Sequence, residues 1–250
     1  MRTLIIGDTH LGSPLCRTSL LIKLLSEVPF DQLVLNGDIF DDLNLRRFSK
    51  NHWKVLAMIR DLVETREVIW IRGNHDGPSG FLGQLLGVRV RSDYTFPYQD
   101  GLVYVAHGDE FDDFQNSVKG LRNLRERFYG FAIWFDVPRK TAIQWAQRST
   151  KVFARAREKV KHKAVQKAQK MGARWVVVGH THHREHEDVQ GITYLNPSSW
   201  LTANPSYVLF DEAAEAPSVV VLGREKRRTL ARVRTRVRSA GRTLARRFRE

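Results

Sequence analysis

The stretch Thr3-Leu4-Ile5-Ile6-Gly7-Asp8-Thr9-His10 carries the pattern that decides the fold. It joins a short apolar run, rich in residues that favour β-strands, to a glycine, a carboxylate and an imidazole. A similar succession recurs at four later places, where runs at 32–35, 68–71, 102–106 and 175–178 precede Gly37-Asp38, Gly73-Asn74-His75-Asp76, His107-Gly108-Asp109 and Gly179-His180-Thr181-His182. The sequence therefore predicts five strands that end at groups able to bind metals or move protons.

Further runs complete an α/β pattern. Residues 192–195, 207–210 and 219–222 are predicted to be later strands, and residues 19–26 and 53–63 have the apolar spacing of helices. Strands that alternate with helices indicate an α/β fold with helices packed on the sheet faces.

The middle of the chain has a different character. Apolar residues recur at three- and four-residue steps from 118 to 131, and the pattern resumes from 143 to 171 with many basic residues. Because these predicted helices interrupt the series of strands, we interpret about 114–174 as a helical cap inserted into a body that spans 1–222. Residues 223–250 form a separate basic tail.

The net charge of +14 is distributed unevenly. Residues 1–113 and 175–222 together carry −9, whereas residues 114–174 carry +13 and residues 223–250 carry +10. A basic protein invites a nucleic-acid interpretation, but here the body that bears the strand-end motifs is acidic. The cap and the tail carry the excess of basic residues, and each of them needs its own explanation.

The composition indicates the cellular compartment and argues against a secreted or membrane-spanning protein. Cys16 is the one cysteine, so there is no intramolecular disulfide and no cysteine zinc site, which favours a reducing compartment. The apolar run at 3–6 is too short for a signal-peptide core, and the densest apolar run, at 128–135, is far below the roughly 20 residues of a membrane-spanning helix. We therefore predict a cytoplasmic protein.

The strand-end motifs together indicate a metal site. Neutral imidazole and carboxylate are ligands for Mn, Fe, Co or Zn, and two ligands separated by one residue can both turn toward one ion. A glycine beside each group permits a tight turn or a close approach of the backbone. Each motif alone is common, but five motifs after five predicted strands include five of the nine histidines.

These residues resemble the calcineurin-like metallophosphoesterase family, whose pattern is D-x-H, G-D, G-N-H-[DE], H and G-H-x-H in this order. The resemblance covers residues 1 to about 210 and implies a sandwich of two mixed β-sheets flanked by helices. It also implies two divalent ions, with Mn²⁺ the first choice and Fe, Co or Zn also accepted. The implied ligands are Asp8, His10 and His182 for the first ion, Asn74, His107 and His180 for the second, and Asp38 for both.

The resemblance further implies a hydrolase of phosphorus esters. Two cations lower the pKa of a shared water and neutralise phosphate oxygens during an in-line displacement. His75 would assist the leaving group, and Asp76 would orient the His75 ring through a ring-nitrogen hydrogen bond. Nothing in the sequence assigns a role to Asp41 or Asp112.

Within the family, the chain is most similar to the UDP-2,3-diacylglucosamine pyrophosphatases of lipid A biosynthesis. The similarity lies in its size, in His107-Gly108-Asp109 followed by a helical insertion, and in Tyr194-Leu195-Asn196-Pro197-Ser198-Ser199-Trp200. It implies cleavage of a lipid-linked diphosphate to UMP and a lipid phosphate, with acyl chains held by cap aromatics between 128 and 153. Those enzymes usually carry G-N-R-D where this chain has Gly73-Asn74-His75-Asp76, and the histidine form occurs throughout the family.

Three functions follow from these patterns. The first is a hydrolase of a lipid-linked nucleotide whose basic amphipathic tail, with apolar residues from Leu230 to Phe248, adsorbs to the anionic inner face of a membrane. The alternative is a soluble phosphodiesterase or nuclease whose cap and tail hold a polyanion. A binding module with a structural metal is disfavoured, because such a site does not need seven ligands.

Overall fold

Two β-sheets form the centre of the protein. The computed structural model describes residues 1–77, 83, 84, 86–112 and 151–223. Within these ranges the strands, in chain order, are β1 Arg2–Ile6, β2 Gln32–Asn36, β3 Glu67–Ile71, β4 Arg89–Arg91, β5 Asp93–Tyr98, β6 Gly101–Ala106, β7 Trp175–Val178, β8 Glu185–Val189, β9 Ile192–Asn196, β10 Ser206–Asp211 and β11 Ser218–Val221. The helices are α1 Thr18–Glu27, α2 Lys50–Thr65 and α3 Lys151–Lys170, with single 3₁₀ turns at Leu45–Arg47 and Asp109–Phe111.

Both sheets are mixed. The first has the order β11-β10-β1-β2-β3-β4, in which β1 to β4 are parallel and β10 runs antiparallel to both β1 and β11. The second has the order β5-β6-β7-β9-β8, in which β6, β7 and β9 are parallel and the two outer strands are antiparallel. The predicted pair of mixed sheets is thus confirmed.

Successive residues of β1 and β2 point to opposite faces of the first sheet and pack into two separate layers of the hydrophobic core. Ile5 and Val34 face the second sheet and pack in one cluster with Val103 and Val177. Their neighbours in β1 and β2 face the other way and pack under α1 and α2. Strands buried on both faces read as continuous apolar runs, which is why these strands were visible in the sequence.

Helix α3 covers the outer face of the second sheet. Its residues Val160, Ala164 and Ala168 pack against Tyr104 and Val176 of that sheet. Their spacing of four places them on one stripe of the helix. The small side chains allow α3 to lie close to the strands, so the second sheet is covered on both faces like the first.

All predicted strands are found, and the structure adds three that the sequence analysis missed. The missed strands are β4, β5 and β8. β4 and β8 are rich in charged residues, and β5 contains Pro97, which the sequence pattern counts against a strand. All three lie on sheet edges, where burial no longer imposes an apolar pattern.

The predicted cap lies mostly outside the described residues, which omit 113–150. Its described part is α3, which packs on the second sheet. The division into body, inserted cap and tail stays a prediction, as does the amphipathic tail, since residues 224–250 are also outside the described ranges. None of the helices that the structure describes is both long and apolar enough to cross a membrane.

A buried lysine joins α3 to the edge strand β8. The Lys161 ammonium lies 3.0 Å from a Glu158 carboxylate oxygen and 2.9 Å from Glu185, and it also contacts Glu187. Burial alone would lower the pKa of Lys161, but the surrounding carboxylates raise it above its usual range. β8 begins directly after the loop that carries His180 and His182, so this cluster fixes one end of that loop.

We expect Lys161→Met to lower the free energy of unfolding by about 3 kcal/mol, because it leaves the mostly buried Glu185 carboxylate without its cation. Urea denaturation of the purified protein measures the change. Lys159→Met, on an exposed position of the same helix, should change stability by less than about 0.5 kcal/mol. Equal effects of the two substitutions would show that the Lys161 cluster behaves as a solvated surface network.

Candidate metal centre

The carboxyl ends of parallel strands bring the predicted ligands together. Asp8 and Asp38 follow β1 and β2 of the first sheet, whereas His107 and the His180–His182 loop follow β6 and β7 of the second. The loops of the two sheets are joined directly, since the backbone N–H of His180 donates to the Asp8 carboxylate at 3.1 Å. One edge of the sandwich therefore holds ligands from both sheets.

Four of the predicted ligands form a compact cluster. One ligand atom each from Asp8, His10, Asp38 and His182 lies within 4.8 Å of the others. The Nε2 atoms of His10 and His182 are 3.2 Å apart, and His182 Nε2 is 3.1 Å from Asp8 Oδ1. These atoms can coordinate one divalent ion.

The other three predicted ligands lie on the far side of the Asp38 carboxylate. Asp38 Oδ1 is 3.4 Å from His107 Nε2, while Oδ2 is 3.9 Å from His10 Nε2. Asn74 Oδ1 is 3.1 Å from His180 Nδ1, and the His107 and His180 rings are 5.3 Å apart. The structure thus brings all seven residues into one site, with Asp38 between two groups of ligands.

A buried histidine nitrogen without a hydrogen-bond partner is evidence for a cation at this site. The Nδ1–H of His107 donates to the Asn36 carbonyl at 3.1 Å, so Nε2 is the ring nitrogen that can present a lone pair to a metal ion. His107 Nε2 is buried and has no hydrogen-bond partner among the described residues. A divalent ion would supply the partner that this buried acceptor lacks. The donor set therefore fits the divalent metals that the family uses.

Backbone strain is concentrated at the same residues. Asp8, His10 and Asp38 have φ angles of 51°, 48° and 50°, and His180 and His182 have 61° and 53°. Each left-handed conformation costs a non-glycine residue about 1–3 kcal/mol and persists only where the surrounding structure imposes it. Five strained residues in one cluster indicate a functional site rather than a set of ordinary turns.

Glycines leave the space that the ligands occupy. A Cβ added to Gly179 would lie 2.6 Å from Asp8 Oδ2. A Cβ on Gly37 would overlap the His107 ring, and one on Gly73 would overlap Asp38. These glycines permit the close approach that the sequence analysis expected of them.

The electrostatics keep the carboxylates ionised. Burial opposes ionisation of Asp38, but the imidazoles of His107, His75 and His10 hold its pKa well below the usual range. Burial likewise opposes ionisation of Asp8, and His182 lowers the pKa of Asp8 below its ordinary value. Both groups are carboxylates near neutral pH, which is the form that binds a cation.

Asp76 has a different role from the predicted one. Its carboxylate is fully buried and accepts hydrogen bonds from the backbone N–H groups of residues 38–40, from Gly73 N–H at 2.8 Å and from Trp70 Nε1–H at 3.2 Å. The His75 ring is oriented instead by the Asp41 carbonyl, which accepts from Nδ1–H at 2.9 Å. The expectation that Asp76 orients His75 is therefore wrong, and Asp76 fixes the turn that carries Asp38.

Two unassigned aspartates belong to the site. Asp41 Oδ1 lies 3.4 Å from His10 Nδ1, and its other oxygen is 2.8 Å from the Arg47 guanidinium. Asp112 Oδ2 lies 3.0 Å from His180 Nε2. Asp112 is within hydrogen-bond distance of its ligand ring, whereas Asp41 lies beside His10 Nδ1 without a hydrogen bond to it. Acidic clusters are usually solvated, so the sequence alone gave no signal that distinguished these two.

The stretch from Asn196 to Trp200 braces the ligand loops. Asn196 Nδ2 donates to the Gly179 carbonyl at 3.0 Å, and Ser198 Oγ donates to the His182 carbonyl at 2.9 Å. The Trp200 backbone N–H donates to the Asp8 carbonyl at 3.0 Å. In the sequence analysis this stretch was part of the similarity to the pyrophosphatases. In the structure it holds the backbone of the ligand-bearing loops in place.

The fold and the site define a metal-dependent phosphoester hydrolase built on two mixed sheets. The chain belongs to the calcineurin-like phosphoesterase family, whose sequence profile matches residues 1–184. No curated protein sequence matches the chain. The family uses divalent metals, in agreement with the cluster of Asp8, His10, Asp38 and His182.

Solved structures are similar to this chain at low sequence identity. The Escherichia coli phosphoesterase Yfce has a TM-score of 0.52 and 18% identity, over 89% of this chain and 94% of its own. An archaeal phosphodiesterase has a TM-score of 0.49 and 16% identity, over 89% and 100% of the two chains. Entamoeba histolytica Vps29 complexed with Zn²⁺ has a TM-score of 0.45 and 14% identity, over 89% and 98%. The likeness to Yfce shows the fold.

We expect Gly179→Ala to weaken Mn²⁺ binding at least about tenfold, because its Cβ would displace the Asp8 carboxylate. Metal per chain after dialysis against buffered Mn²⁺ measures the effect. The control is Gly191→Ala, where an added Cβ meets no atom within 4 Å and φ is 78°. It should cost about 1–2 kcal/mol of stability and leave metal content unchanged. Full metal content in Gly179→Ala would contradict the proposed ligand role of Asp8.

Proposed function

We propose that the protein hydrolyses the diphosphate of a lipid-linked nucleotide, such as UDP-2,3-diacylglucosamine, to UMP and a lipid phosphate. The observation that carries this proposal is an apolar patch at the edge of the site. We call it the rim patch and define it as Leu43, Leu45 and Trp53, whose exposed fractions are 44%, 40% and 48%. Large apolar side chains that cluster at a site favour a substrate with apolar parts.

The rim patch adjoins His75. Leu43 packs over Gly77, two residues after His75, since a Cβ on Gly77 would lie 2.9 Å from Leu43 Cδ1. Trp53 reaches the same segment through Phe48, with ring centroids 5.2 Å apart. The segment begins at Asp41, whose carbonyl orients the His75 ring. An acyl chain resting on the patch would therefore lie next to the reacting diphosphate.

Basic residues surround the rim patch. Arg46, Lys50 and Lys54 are exposed in the same segment. Exposed apolar side chains among cations suit the boundary of an anionic membrane, where each basic residue adds about 1 kcal/mol of attraction. The basic tail would add to this attraction, and the partner we propose is the anionic inner face of a membrane. The predicted cap aromatics between 128 and 153, most of which lie outside the described residues, would add apolar side chains for the acyl chains.

The seven clustered residues would hold two divalent ions. Asp8, His10 and His182 would bind the first, Asn74, His107 and His180 the second, and Asp38 both, with Mn²⁺ the metal we expect. When bound, the ions would lower the pKa of water toward neutrality and offset the charge that develops on phosphate oxygens. Asp41 and Asp112 would orient His10 and His180, and Asp76 would fix the Asp38 turn.

His75 is placed to act on the leaving group. Because its Nδ1–H donates to the Asp41 carbonyl, its Nε2 faces the site, 4.0 Å from Asp38 Oδ2. The His75 side chain is 30% exposed, so a substrate can reach it. In the protonated ring, Nε2–H donates a proton to the departing oxygen.

We expect His75→Ala to keep its metal and to lose about 10²–10⁴-fold in turnover on a diester with an alcohol leaving group. The loss should be smaller on bis(4-nitrophenyl) phosphate, because nitrophenolate departs without a proton. Metal analysis and turnover with both esters measure this. His186→Ala, an exposed histidine on β8, is the matched control and should behave as the wild type. Loss of both ions in His75→Ala would overturn the assignment.

The substrate class is tested by turnover with Mn²⁺ on UDP-2,3-diacylglucosamine, UDP-N-acetylglucosamine, a cyclic nucleotide and single-stranded DNA. We expect the diacyl substrate to have the highest kcat/KM. Trp53→Gln combined with Leu45→Gln should raise its KM about tenfold, because less apolar surface is buried, and should leave bis(4-nitrophenyl) phosphate hydrolysis unchanged.

The control for the rim patch is Met171→Gln, which changes a similarly exposed apolar residue just after α3. It should leave the KM for the diacyl substrate unchanged. Faster hydrolysis of DNA or of the cyclic nucleotide than of the diacyl substrate would favour the phosphodiesterase or nuclease alternative and reject the lipid-linked substrate.

A further inference from the structure

An open cleft of about 280 Å³ lies beside the ligand cluster. Its lining is somewhat more polar than apolar and comes from the loop after β7 and the segment between β9 and β10. The lining includes His182, His183, Arg184, Ser198, Thr202 and Asn204. His182 belongs to both the cleft and the ligand cluster, so a molecule seated in the cleft would adjoin the predicted ions.

The cleft offers cationic and hydrogen-bonding groups. Arg184 is exposed, and its Nη1 approaches the Asn204 carbonyl at 3.5 Å, which leaves further guanidinium donors directed to solvent. Arg17 supports the wall by donating from Nε to the Thr202 carbonyl at 3.1 Å. Two carboxylates lie beside the lining, since Glu185 is 4.0 Å from His183 Nε2 and the buried Asp8 is 3.1 Å from His182 Nε2. This set suits a polar, anionic group and not an acyl chain.

The cleft and the rim patch adjoin different histidines of the site. The His10 ring contacts both, with its centroid 5.1 Å from that of His75 and 5.0 Å from that of His182. The apolar rim patch adjoins His75, whereas the polar cleft adjoins His182. A substrate with one apolar and one polar half can therefore place its diphosphate at the ligand cluster and each half on a surface of matching polarity.

The volume of the cleft limits the size of the molecule that it can hold. Sites for drug-sized ligands measure about 300–1,000 Å³, so a cleft of about 280 Å³ holds only a part of a lipid-linked nucleotide. A pyrimidine nucleoside offers carbonyl oxygens, a ring N–H and ribose hydroxyls. The Arg184 guanidinium, the Thr202 hydroxyl and the Asn204 amide can pair with such groups.

We propose that this cleft is the subsite for the pyrimidine nucleotide half of the substrate, with Arg184 as its specificity-determining residue. This inference rests on the proposed function for the identity of the nucleotide. The Arg184 guanidinium contacts a phosphate oxygen or a base carbonyl, and the Thr202 hydroxyl and Asn204 amide contact the nucleoside. The lipid half stays outside the cleft, toward the rim patch.

Binding of UMP to the Mn²⁺-loaded full chain, measured by titration calorimetry, tests the subsite. We expect UMP to bind more tightly than inorganic phosphate and AMP. Arg184→Ala should weaken UMP binding about 10–100-fold, as expected for loss of a hydrogen bond to a charged group. It should raise the KM for the UDP-linked substrate similarly, with metal content unchanged. Asn204→Ala provides a second variant at another residue of the cleft lining.

The matched control is Arg89→Ala, an exposed arginine on the edge strand β4 of the other sheet, which should bind UMP as the wild type does. Unchanged UMP binding in both Arg184→Ala and Asn204→Ala, or equal affinity for UMP and inorganic phosphate, would overturn the subsite. If UMP binding depends on Arg184 while UDP-2,3-diacylglucosamine is not hydrolysed, the lipid-linked substrate fails and the nucleotide subsite stands.

Discussion

The Asp38 carboxylate is the group on which the rest of the site depends. It is 2% exposed and ionised, and it lies between two groups of imidazoles with one oxygen toward each. A buried charge is tolerated only where partners surround it. The fully buried Asp76 carboxylate holds the turn that carries Asp38, and Gly37 and Gly73 leave the space for it. A cation would add the charge that balances Asp8 and Asp38 together.

The two sheets are needed because neither could form this site alone. The first sheet supplies Asp8, His10 and Asp38, and the second supplies His107 and the loop from His180 to His182. Hydrogen bonds from that loop and from Trp200 to Asp8 cross between them. Five ligands in left-handed conformations store about 1–3 kcal/mol each, and the rigid strand ends on both sides offset that strain.

The sequence predicted the buried strands and all seven clustered residues, because a strand buried on both faces leaves an unmistakable apolar run and its end is marked by glycine and polar groups. It missed β8, whose charged residues pair with Lys161 of α3, a contact that depends on tertiary packing. It also misjudged Asp76. Sequence adjacency suggested a partner for His75, but the turn directs the Asp76 carboxylate inward, onto the backbone N–H of Ile39 and the indole N–H of Trp70.

The two sides of the site differ in the apolar surface that they expose. The cleft at His182 contains Arg184, whereas Leu43 and Leu45 are exposed in the segment next to His75. Exposed cations occur on both sides, because basic residues also flank the rim patch, so an anionic substrate of either proposed class would meet positive charge there. The exposed leucines are what the two classes would use differently. An acyl chain buries apolar surface against them, whereas a phosphate backbone does not, and the proposal of a lipid-linked substrate depends on that difference.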